Sequence, residues 1–202
     1  MRPRTIGQRA LVCLLLPCAA LLSMTTVYAD ESAPNGGGHQ NIVQIVNNDN
    51  NSLRVDGDIQ LNRIPDQTVT PVNEAIAFNE NCTGCQTITV ALQINLYGYN
   101  VTNFQPQNYA FSYNYACTGC FARADAFQCG IQVQDPTHVP AGVEQFIASM
   151  RHTLKTIQHD PNATANSAQA EIQGVVNQYD SLLANTLGAP ASCQATYNII
   201  TL

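Results

Sequence analysis

Two identical tetrapeptides, Cys82-Thr83-Gly84-Cys85 and Cys117-Thr118-Gly119-Cys120, hold four of the chain's eight cysteines. Thiols at this spacing close a disulfide, exchange one with another thiol, or bind a metal as thiolates. On a straight strand, residues three apart lie roughly 10 Å from each other, too far for bonded cysteines, whose Cα atoms sit about 4.4–6.8 Å apart. A Cys82–Cys85 or Cys117–Cys120 disulfide therefore needs a turn, and Gly84 and Gly119 supply the backbone freedom for one. Pairing between the two copies is the alternative, and it would staple two strand-turn units together. As a metal site the arrangement is C-x2-C-x31-C-x2-C, with a central gap longer than the roughly 15–20 residues usual for four-thiolate zinc. Redox exchange needs the first thiol at a helix N-terminus, and both motifs lead into strand-like sequence.

The N-terminus bears on that choice. Arg2, Arg4 and Arg9 precede an apolar run from Ala10 to Leu22, and Val27-Tyr28-Ala29 places small residues where a signal peptidase reads. Residues 1–29 read as a secretory signal, too short in its apolar part for a membrane span. Cleavage removes Cys13 and Cys18 and leaves Cys82, Cys85, Cys117, Cys120, Cys129 and Cys193. An even set in an exported chain favours structural disulfides. Cys129 and Cys193 are the two outside the motifs, and their pairing would tie the C-terminal region back onto the second repeat. No cofactor is expected, with zinc on the four motif cysteines as the alternative.

Losing the three N-terminal arginines shifts the formal charge from −6 to −9. So acidic a chain is repelled by phosphate backbones and anionic lipid, so no nucleic-acid partner is expected and membrane surfaces are poor ones; no segment after the signal is long and apolar enough to insert into a membrane. Only 11% of residues are charged, against roughly 25% in typical domains, so Asn, Gln, Ser and Thr are expected to supply the polar surface. Catalytic signatures are missing. There is no His-Glu dipeptide for a metalloprotease helix, no nucleophile elbow and no phosphate loop. His39, His138, His152 and His159 are scattered, and Asp49, Asp56 and Asp58 do not follow calcium-loop spacing.

Behind these residues the sequence implies the following elements. Residues 30–41 are polar and Gly-rich and read as a spacer. Residues 42–135 form a β-rich region. Ile42–Val46 opens it, and Leu53, Val55, Ile59 and Leu61 alternate, with a turn or bulge at Asp56-Gly57-Asp58. Ile88, Val90, Leu92, Ile94 and Leu96 alternate with Thr87, Thr89, Gln93 and Asn95. Tyr109, Phe111, Tyr113 and Tyr115 alternate before the second motif, and core packing or a contact surface are the two readings of those rings. Arg123 and Asp125 stand where the first copy has Ile88 and Val90, which reads as a local ion pair, with a ligand-binding carboxylate as the alternative. Residues 136–202 change period. Val143, Phe146, Ile147, Met150, Leu154 and Ile157 share one helical face, Ile172 through Leu187 another, and Tyr197, Ile199 and Ile200 suggest a last strand.

Ala75-Ile76-Ala77, CTGC followed by Gln-Thr-Ile, Ala91-Leu92-Gln93, Pro106-Gln107-Asn108, and the second CTGC leading to Ala126-Phe127-Gln128 carry a resemblance. The stretch from Asn73 to Gln128 resembles small secreted bacterial proteins with duplicated C-x-x-C repeats, some labelled peptide zinc metalloproteases. The resemblance implies a bacterial exported protein. It does not carry protease activity here, because the metal-binding motif is absent. The expectation is an α+β fold in which an antiparallel sheet bears the duplicated unit and a C-terminal helical hairpin packs on it. The expected role is a secreted, non-enzymatic binding or structural protein that meets an extracellular or envelope partner. The alternatives are a thiol-redox or metal-binding protein using the two motifs, or an accessory to a membrane protease or export system.

Overall fold

A computed structural model describes residues 39–65, 68–139, 142–187 and 192–201. The chain divides into Met1–Asp30 and Glu31–Leu202, and all described residues belong to the second unit. The signal peptide and most of the spacer lie outside them. The elements run β1 (Gln40–Asn47), β2 (Leu53–Ile64), β3 (Thr68–Val69), β4 (Val72–Glu80), β5 (Gln86–Gly98), β6 (Asn103–Phe104), β7 (Gln107–Tyr115), β8 (Phe121–Val133), α1 (Val143–His159), α2 (Ala165–Leu182) and β9 (Ser192–Thr201). A π turn, Leu183–Leu187, extends α2.

The strands do not form the antiparallel sheet that the sequence suggests. β1, β4 and β7 pair in parallel as one sheet, β2, β5 and β8 as a second, and β3 and β6 as a two-stranded strip. Only β9 is antiparallel, against β8. The reason lies in the repeat length. Between the first and second rungs equivalent residues recur 32 apart in β1–β4 and 33 apart in β2–β5, and between the second and third they recur 35 apart in both sheets, enough chain for the crossover that parallel strands require. A repeated unit that long stacks by translation: β1–β2–β3 is one rung, β4–β5–β6 the next and β7–β8 the third. The repeat is therefore threefold. The first copy hides because Asn48–Ser52 replaces the cysteine motif with a corner one residue shorter.

The Asp56-Gly57-Asp58 stretch runs straight through as strand. Gly57 is required by what lies over it, since a Cβ there would collide with the side chains of Val90 and Leu154. The helices cover that outer face of the four-stranded sheet. Val143, Ile147, Met150, Leu154 and Ile157 of α1 and Ile172, Val175, Val176, Tyr179 and Leu182 of α2 join Ile59, Ile88, Leu92, Ile94 and Ile131 in the main apolar core. Phe146, expected on the same helical face, is exposed instead. Tyr179, wholly buried, keeps its hydroxyl satisfied by donating to the Gln93 carbonyl at 2.9 Å. Thr164 caps α2 in a reciprocal box with Ser167.

Candidate functional site

The two CTGC segments are the corners that join one sheet to the other, stacked one rung above the next. Gly84 and Gly119 adopt φ of 66° and 64°, and Asn51 takes the same left-handed position (φ 55°) in the first rung. Gly84 N–H donates to Thr118 O at 2.8 Å and Asn51 N–H to Thr83 O at 2.8 Å, so the corners repeat the ladder of the strands. The turn brings Cα atoms to 6.2 Å for Cys82–Cys85 and 6.0 Å for Cys117–Cys120, and each pair is a disulfide. Cys129–Cys193 is the third, tying β9 to β8 across a separation of 64 residues.

Stacking also brings the two motif disulfides together. Cys82 Sγ lies 3.5 Å from Cys117 Sγ, and all four sulfurs fall within 4.8 Å of one another. Among the described residues this is the one group of potential metal ligands. The histidines do not join it: His138, His152 and His159 are exposed, with His138 held by Asp135 at 2.6 Å. Of the acidic candidates, Asp49 pairs with Arg54 and Asp58 with Arg151, while Asp56 accepts from the Gly57 N–H.

Arg123 and Asp125 form an ion pair at 2.7 Å, with Asp125 almost fully buried. Burial pushes the Asp125 carboxyl upward, while the Arg123 guanidinium opposes the shift. Arg123 also donates to Gln169 Oε1 at 3.0 Å, linking the third rung to α2. Asp56 is likewise raised by burial.

The space between the two sheets was not legible beforehand. Its residues are amides and alanines. Asn41 Nδ2 donates to Asn73 Oδ1 (2.9 Å) and Asn73 Nδ2 to Asn108 Oδ1 (2.8 Å). Asn79 donates to Asn114, Asn62 to Asn95, and Gln128 to Gln93. Val43, Ala75, Ala77, Ala91, Ala110, Ala122, Ala124 and Ala126 fill the remainder. Much of the Asn and Gln expected on the surface is thus buried. Stacked identical amides satisfy one another only in parallel register, so these ladders enforce the translation between rungs. The signal was available: Asn recurs six residues apart at 41/47, 73/79 and 108/114.

The converse holds outside. Tyr109, Phe111, Tyr113 and Tyr115 point outward from β7 and are 40–54% exposed. They continue a face with Ile42 of β1 and with Phe78 of β4, whose ring stacks on Tyr113 at 5.5 Å. Comparisons with family models, curated proteins and solved structures return no match. The site is therefore read from its own geometry. A groove of about 730 Å³ runs between the corner stack and the α1–α2 turn, and Asp160 is the one charged residue of its lining. No described helix is long and apolar enough to cross a membrane.

Proposed function

We propose that the chain is a secreted, disulfide-stabilised, non-enzymatic structural protein of the bacterial cell exterior. Its working surface is the outer face of the β1–β4–β7 sheet. The observation that carries this reading is the uncovered row of Tyr109, Phe111, Tyr113 and Tyr115 on a rigid stack whose interior is filled. Aromatic side chains on flat sheet surfaces are common anchors of protein contacts. The acidic charge turns the protein away from nucleic acid, and three disulfides suit an oxidising compartment. The test is fractionation of bacteria expressing the full chain beside a Phe111→Ser/Tyr113→Ser variant. Wild type is expected in the cell-exterior or envelope fraction with no alkylatable thiol, and the variant is expected to be released while keeping its melting temperature. Identical partitioning of the two, or retention in the cytoplasm with free thiols, overturns the reading.

The four-sulfur cluster favours a second reading. In a tetrahedral four-thiolate zinc site the sulfurs stand about 3.8 Å apart, given Zn–S bonds of roughly 2.3 Å; here all four lie within 4.8 Å of one another, bonded as two disulfides that a reductant would first have to open. Reduced, Cys82, Cys85, Cys117 and Cys120 would hold zinc, which would supply the cross-link that the disulfides otherwise provide. Intact-mass measurement on native and denatured protein separates the two. A mass six hydrogens below the reduced form supports three disulfides, while a metal adduct lost on denaturation supports zinc.

A further inference from the structure

The outer face of the β1–β4–β7 sheet carries charge of one sign. Its outward positions are the even-numbered residues of β1 and β4 and the odd-numbered residues of β7, which alternate with the inward Asn41, Asn73 and Asn108. Among them stand Glu74 and Glu80, and no lysine, arginine or histidine. Both glutamates lie half-buried on β4, the central strand. Every arginine among the described residues is already paired elsewhere: Arg54 with Asp49, Arg63 with Glu144, Arg123 with Asp125 and Arg151 with Asp58. Glu74 and Glu80 have no ion-pair partner among the described residues.

The strand register puts a ring beside each carboxylate. Glu74 is the cross-strand neighbour of Tyr109 on one side and of Ile42 on the other, and Glu80 is the neighbour of Tyr115. Neighbouring strands lie about 4.8 Å apart, so a cation seated on either carboxylate also meets a tyrosine ring, whose face attracts it too. Between the two glutamates, Ile76 and Phe78 of β4 lie beside Phe111 and Tyr113 of β7. The carboxylates are six residues apart along β4, a span of roughly 20 Å on an extended strand. The face is thus an apolar floor with a cation site at each end.

We infer that this face docks an extended, basic segment of another protein, with lysine or arginine six residues apart and apolar side chains at the two outward positions between them. A purely apolar partner would desolvate Glu74 and Glu80 without a counter-charge, which costs free energy. A second copy of this chain would bring the same two carboxylates and no base. An anionic lipid or phosphate surface would be repelled. The inference rests on reading the aromatic face as the working surface, and adds the chemistry of what that surface meets.

The probe is a cyclised hairpin peptide presenting Lys-Thr-Val-Thr-Val-Thr-Lys on one strand, titrated into the full chain by fluorescence anisotropy. Its control carries glutamate in place of both lysines. Saturable binding of the basic peptide is expected, weakening as salt rises, and none of the acidic one. Glu74→Gln/Glu80→Gln should weaken binding roughly tenfold, the scale of two charge contacts backed by rings, and flatten its salt dependence. The melting temperature should not fall, since neither carboxylate has a partner to lose. Phe111→Ser should abolish binding. The peptide pair and the salt series use the wild-type protein, so they decide the matter even if the glutamine variant misfolds. Equal binding of both peptides, lost in Phe111→Ser, overturns the inference alone and leaves the face a contact surface. Failure of the basic peptide to bind overturns it too, while cell fractionation still judges the surface itself. Binding untouched by Phe111→Ser places the contact elsewhere and overturns it, as does a preference for chitohexaose, an uncharged glycan, over the basic peptide.

Discussion

The two parallel sheets share the same rungs and nearly the same inward chemistry, yet their outer faces have opposite fates. The β2–β5–β8 sheet presents Ile88, Val90, Leu92, Ile94 and Leu96 to α1 and α2, and these residues are at most 1% exposed. The β1–β4–β7 sheet presents Ile42, Phe111, Tyr113 and Tyr115 to solvent. Both faces alternate with polar residues that point inward, so in both sheets the apolar row is on the outside of the stack. One apolar face builds the hydrophobic core with the helices. The other is left bare, and bare aromatic faces of this extent mark contact surfaces.

Substitutions that exploit this difference are ordered by size. Leu92→Ala cuts into the helix-covered face and should cost about 2–5 kcal/mol in chemical denaturation. Asn73→Ala attacks the shared interior. It removes the bond to Asn108 Oδ1, frees the Ala91 and Phe127 carbonyls and leaves the Asn41 amide with the Leu92 carbonyl as its one remaining acceptor. A loss of about 1–3 kcal/mol is expected for each buried group left unsatisfied, and amide exchange should accelerate in both sheets together. Ala116→Gly tests the corner between them: Ala116 sits at φ 47°, where only glycine is unstrained, so the variant should gain about 0.5–1 kcal/mol. Phe111→Ser, on the bare face, should change stability by no more than about 0.5 kcal/mol. A loss as large as that of Leu92→Ala would mean that something covers this face in the folded protein.

The charged interior adds a pH test. Burial raises the Asp56 carboxyl above its ordinary 3.8, so the folded state holds this proton more tightly than the unfolded chain. Its penalty is absent below the unfolded pKa and grows as pH rises through the folded one. Asp56→Asn should therefore stabilise the protein at neutral pH, with the advantage vanishing below about pH 4 in denaturation series.

Much of the fold was written in local pattern, and the misreadings have physical causes. The alternation in β5, the faces of α1 and α2 and the turn demanded at Gly84 follow from spacing and covalent geometry. Strand direction does not, because a period of two is the same for parallel and antiparallel neighbours. Thr87, Thr89, Gln93 and Asn95 looked like a solvent face because amides are usually hydrated. They are buried because the two sheets close over them: Gln93 bonds Gln60 and Gln128, Asn95 accepts from Asn62, and Thr87 donates to Asn79 of the facing sheet. The first rung escaped notice because it lacks cysteines, and the cluster of four sulfurs because nothing in one copy tells how the copies align.

The placement of β9 sets an order of events. β8 is made long before Ser192–Thr201, and the reversed strand that closes the far end cannot dock until those last residues have emerged. A chain leaving a ribosome or an export channel therefore carries an unfinished edge on β8 throughout its synthesis. The disulfide between Cys129 and Cys193 makes that late closure permanent.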